Sequence, residues 1–225
     1  MLVKLQNKKI EILFLSQIII LFGSLVMPNS IFIIISPILF FVNIIAGSLF
    51  FSFNTLKAHG IAIILLLLFI ASIFILASVD HKHKELFNTL KLFTLFIFQS
   101  YVAYRLILEV WKANVVSKKV IYGVISGYIS LGLVGFFVCL TIEIYHPNSF
   151  QGLYGDFGPN NEMNDRLMYF SYVTLMTIGY GDITPFTALA QKASILIGLA
   201  GQFYLMIITA IVVGKYINQK HINSN

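Results

Sequence analysis

Between Glu11 and Lys57 the chain carries no charged side chain at all, a run of 45 residues (12–56). A helix crosses the roughly 30 Å of bilayer hydrocarbon with about 20 apolar residues. The run is too long for one crossing and suits two. Met27-Pro28-Asn29-Ser30 marks the break: Pro28 lacks a backbone donor, and Asn29 and Ser30 favour a turn. Three more charge-free runs, Ala58–Val79, Val120–Ile142 and Ala193–Gly214, are each long enough to cross. Leu86–Val110 is apolar with Lys91, Arg105 and Glu109 toward its ends, where long side chains snorkel to the interface. The expected total is six spans. With 58% hydrophobic and only 11% charged residues, the chain cannot coat a soluble core, since ordinary domains carry about 25% charge. This excludes a soluble enzyme, a disordered tail and a disulfide-knit module, and the single Cys139 cannot form an internal disulfide.

One apolar run is too short to cross. Leu167–Gly181 is uncharged over 15 residues, between Arg166 and Asp182, and it ends in glycines. Such a run reads as a re-entrant segment. Backbone that is not helical at membrane depth must be buried in protein or line a watery cavity, so functional residues are expected here.

Six crossings put both termini on one side. Lys4, Lys8, Lys9, Lys57, Lys112, Lys118, Lys119, Lys215 and Lys220 fall on that side, against Lys82, Lys84 and Arg166 on the other, nine to three. Basic residues accumulate in the cytoplasm. The expectation is a multi-pass protein of the plasma or inner membrane with cytoplasmic termini. No cleavage site closes the Ile12–Met27 run, so it stays as a membrane helix. The net charge of +6 is scattered, and no nucleic-acid partner is expected.

The short run ends Thr174-Leu175-Met176-Thr177-Ile178-Gly179-Tyr180-Gly181-Asp182. This T-x-x-T-x-G-Y-G-D pattern resembles the selectivity filter of the potassium-channel family, and the resemblance extends over roughly Lys119–Tyr216. It implies an outer helix (119–145), a turret (146–165), a pore helix (166–176), the filter (177–181) and an inner helix (188–216). The expected fold is an all-α integral membrane protein with that re-entrant unit between spans five and six. Residues 1–111 then form a four-span domain and 112–225 the pore domain. One chain supplies one wall of such a filter, so a four-fold symmetric homotetramer in lipid is implied, with no soluble partner.

Physical chemistry favours the same residue types. A dehydrated cation needs oxygens in place of its water, and backbone carbonyls supply them without a fixed charge that holds the ion too long. Successive carbonyls face one axis only if the backbone alternates between right- and left-handed conformations, which Gly179 and Gly181 allow without steric cost. Carbonyls of Thr177, Ile178, Gly179 and Tyr180, with the Thr177 hydroxyl, are the expected potassium sites. Tyr180 is expected to point away from the ion and wedge against Tyr169, Phe170 or Tyr172, with Thr174 behind the filter. Ile178 replaces the family's commoner valine, Met176 a frequent threonine, and Val173 stands where some members carry glutamate, so Asp182 needs another partner.

Weaker signals surround this motif. Gly201 lies nineteen residues after Asp182, where many pores of the family carry a hinge glycine; glycine weakens a helix by about 1 kcal/mol relative to alanine, yet it equally serves close packing beside Gly198. Leu205 and Thr209 are candidates to face a water-filled cavity. Tyr154-Gly155-Asp156 lacks both threonines and reads as turret, not a second filter. His81 and His83 alternate with lysines that repel a cation, and read as a solvated loop. The expected function is passive potassium conduction, with no catalysis and no cofactor beyond the permeant ion. Its rivals are a less selective cation channel, a transporter with a re-entrant loop, and a non-conducting subunit. Only Lys91 and Arg105 are basic in the fourth span, so little voltage dependence is expected, and no ligand-binding gating domain after the inner helix.

Overall fold

The structure, a computed structural model, describes residues 2–26, 28–48, 84–113, 115–153 and 162–224 of the 225-residue chain. It is mostly helical. In chain order it contains α1 (Leu2–Val26), α2 (Asn29–Ser48), α3 (Lys84–Lys112), α4 (Lys118–Tyr145), β1 (Phe150–Gln151), α5 (Glu162–Leu175), β2 (Thr184–Pro185) and α6 (Ala188–Ser224). The long uncharged run is interrupted between Val26 and Asn29, where the Pro28 carbonyl accepts from the Ile31 amide at 3.0 Å to start the next helix.

Among the described residues three helices are long and apolar enough to cross a membrane: Leu92–Lys112, Lys118–Tyr145 and Ala188–Lys220. A shorter apolar stretch, Ile10–Gly23, lies within α1. The expected third span and the His81/His83 loop lie outside the described residues. At 1.5 Å per residue, 28-residue α4 measures about 42 Å, while 14-residue α5 reaches only about 21 Å and cannot cross.

The chain forms two compact units, Met1–Gly127 and Tyr128–Asn225. In the first unit α1 packs on α2 around Leu13 and Ile44, and Phe14 of α1 meets Tyr122 of α4 with ring centroids 5.3 Å apart. Gly47 lets α2 approach α3 closely, since a Cβ there would stand 2.5 Å from the Phe98 ring.

The second unit joins α4, α5 and α6 around Leu133, Phe137, Leu167 and Leu175. Two corrections to the expected architecture arise here. The unit is not purely helical: β1 and β2 pair antiparallel, Phe150 with Pro185 and Gln151 with Thr184, so a segment expected as free turret is a short ladder. The inner helix does not stop at 216. Residues 216–224 contain no glycine or proline, and α6 runs through them to Ser224.

Candidate functional site

Helix α5 ends inside the protein, and its last turn leads into the glycine motif. The Met176 amide donates to the Tyr172 carbonyl at 2.9 Å, Thr177 to Thr174 at 3.0 Å, and Ile178 to Val173 at 2.9 Å. From there the backbone alternates in hand. Thr177 has φ 57°, Gly179 57° and Gly181 84°, while Ile178 and Tyr180 between them keep negative φ. A carbonyl stack requires this alternation. At Thr177 it is carried by a β-branched residue, for which left-handed backbone is costly, of order 1–3 kcal/mol. The Thr177 hydroxyl donates to the Met176 carbonyl at 2.7 Å.

The segment 176–182 is exposed throughout. Tyr180 is 71% accessible, and a Cβ built on Gly179 or Gly181 meets nothing within 4 Å. The aromatic residues expected behind Tyr180 are differently engaged. Phe170 meets Phe150 of β1 edge-on, centroids 5.1 Å apart. Tyr172 lies over Gly132 of α4, where no side chain fits, and donates to the Ile129 carbonyl at 2.7 Å. Phe170 thus turns toward β1 and Tyr172 toward α4, on different sides of α5, because two residues along a helix are separated by about 200°. Tyr169, one turn before Tyr172, is 40% exposed. Its hydroxyl hydrogen-bonds the Asp182 carboxylate, the partner that Val173 does not supply.

The carbonyl end of α5 is held from two sides. The Tyr128 hydroxyl of α4 donates to the Leu175 carbonyl at 3.3 Å, and its ring lies 5.6 Å from that of Tyr204 on α6. Gly201 of α6 lies directly against the same carbonyl oxygen, in the space a Cβ would need. Gly198 approaches the Thr174 carbonyl more loosely, its Cβ position 3.8 Å away. Gly201 therefore has a packing role in an unbroken helix. Leu205 and Thr209, one and two turns further on, are exposed on α6.

A feature absent from the expectations ties the far side of the motif down. Glu143, 2% exposed near the end of α4, accepts from the backbone amides of Asn148 at 2.8 Å, Ser149 at 3.0 Å and Phe150 at 3.3 Å. The Ser149 carbonyl in turn accepts from the Phe186 amide at 2.8 Å, and the Thr187 hydroxyl caps α6 by accepting from the Ala190 amide at 3.3 Å. Gly152, at φ 77°, sits on the Asp182 carbonyl, while its own carbonyl accepts from the Arg166 guanidinium at 2.6 Å. One chain of contacts thus runs from α4 through β1 and β2 to the start of α6. Its sequence signal is a lone acid closing an apolar run. The Tyr154–Asp156 turret segment lies outside the described residues, and among those described no cluster of metal-ligating side chains occurs.

Residues 133–218 match the family model of ion channels. No curated protein and no solved structure matches the chain. The matched stretch takes in the second half of α4, the motif and nearly all of α6. It supports an ion-channel pore in a membrane protein, and passive ion conduction.

Proposed function

We propose that this chain is one subunit of a homotetrameric, potassium-selective channel of the cell membrane, with cytoplasmic termini. The observation that carries the reading is the alternating backbone hand at Thr177, Gly179 and Gly181 in an exposed segment at the end of a helix too short to cross. In the tetramer, carbonyls of Thr177, Ile178, Gly179 and Tyr180 from four copies replace the hydration shell of potassium. Gly181 lets the strand leave the axis, and Asp182, held by Tyr169, keeps the exit in place. The openness around Tyr180 and both glycines in one copy leaves room for neighbouring copies. Residues 112–225 serve as the pore domain and 1–111 as a membrane domain that does not sense voltage. Nothing in this mechanism calls for catalysis.

Recording purified protein in planar bilayers under opposed potassium and sodium gradients tests the proposal. Current should reverse near the potassium equilibrium potential. Reversal near zero identifies a less selective cation channel, and slow saturable flux without unitary currents a transporter. Open probability should change shallowly with voltage. Steep gating uses roughly three to four charges per subunit crossing the field; α3 offers Lys91 and Arg105, and the latter is tied to the Tyr101 hydroxyl at 3.0 Å. Activation equivalent to about ten or more charges per tetramer contradicts this part of the reading.

A further inference from the structure

The turn between α3 and α4 lies at the level where both helices leave the apolar layer, since one candidate span ends at Lys112 and the next begins at Lys118. Beside this turn α1, α3 and α4 enclose a cavity of about 310 Å³. Its floor is apolar: Ile10, Val110, Val120 and Gly123. Gly123 leaves space, because a Cβ there would meet only a Val110 methyl at 3.6 Å. The rim carries Glu109, Lys112 and Lys119, two cations against one carboxylate. Small-molecule pockets begin at about 300 Å³, so the volume suffices for part of an amphiphile.

We propose that this cavity binds an anionic phospholipid, with the phosphate at Lys112 and Lys119 and an acyl chain over Ile10, Val110 and Val120. Basic pockets between membrane helices at headgroup depth recognise anionic lipid heads. The charged rim and apolar floor match an amphiphile lying across the interface, and a soluble anion would leave the floor uncovered. By the distribution of basic residues this is the cytoplasmic leaflet.

Trp111, the only tryptophan, lies between Val110 and Lys112 and is 58% exposed, so it reports on this position directly. The full-length protein is reconstituted in phosphatidylcholine vesicles, and brominated phosphatidylglycerol or brominated phosphatidylcholine is titrated in as a quencher. Phosphatidylglycerol should quench Trp111 at roughly 25-fold lower mole fraction, with saturation. Lys112→Gln with Lys119→Gln should bring the two lipids to parity, each lysine accounting for roughly fivefold. Gly123→Leu, which fills the cavity and keeps both lysines, should remove the saturable component. Lys118→Gln, outside the lining, should leave most of the preference. Equal quenching by the two lipids in the unaltered protein overturns the proposal. So does a preference that survives both the double lysine variant and Gly123→Leu, or displacement by soluble glycerol phosphate.

Discussion

At Gly179 the penalty for a side chain is conformational within one chain, because the added Cβ meets no neighbour within 4 Å there. Left-handed backbone costs a non-glycine residue about 1–2 kcal/mol, and the proposed tetramer would incur it four times. Gly179→Ala should therefore abolish potassium-selective current at normal surface expression, and retained selectivity in bilayer recordings would remove the filter assignment. Thr177 adopts the same hand without being glycine. Glycine spacing reveals only the positions where left-handed backbone is free of strain, so it left Thr177 unmarked. Glu143 was hidden for a different reason. A carboxylate at a helix end reads as a solvated charge, and only the fold brings three amides to it. Hydrogen bonds to a charged group are worth about 1.5–3 kcal/mol each, and the abandoned amides add a desolvation penalty. Glu143→Ala should cost at least about 3 kcal/mol, read as lowered thermal stability in detergent, with Glu143→Gln losing less.

Among the elements, α5 and α6 meet where Gly201 touches the Leu175 carbonyl. Overpacking of this kind typically costs about 1–3 kcal/mol. Gly201→Ala should push the end of α5 away from α6 and change ion selectivity in reversal-potential measurements. A hinge role predicts altered opening with selectivity intact. Spacing from Asp182 located this glycine but was silent on its use, because packing and bending call for the same missing side chain. Helices were the most legible elements, since charge-free runs locate them and proline separates neighbours, as at Pro28. The β1–β2 ladder was not: two-residue strands carry no periodicity, and their pairing joins residues far apart in the chain. The end of α6 escaped because its last turns are polar, and apolar run length marks where a membrane stops, not where a helix does.

For the whole molecule, α6 is the most exposed of the candidate spans, with 22% of its apolar window buried against 67% for α4. Phe203, Met206 and Ile207 lie open on it. Such a surface needs lipid or further copies of the chain, and cross-linking in mild detergent should end at a band of four. A terminal band at two would require two filters per chain. The ladder also imposes a timetable on synthesis. Phe150 leaves the ribosome 35 residues before its partner Pro185 (185 − 150). At about 5–20 residues per second this is a wait of roughly 2–7 s. During it, the backbone of 148–150 has no strand to pair with, yet Glu143 lies only five to seven residues behind those amides and is already present to hold them. The three bonds to Glu143 are therefore local contacts that do not depend on the later arrival of Pro185.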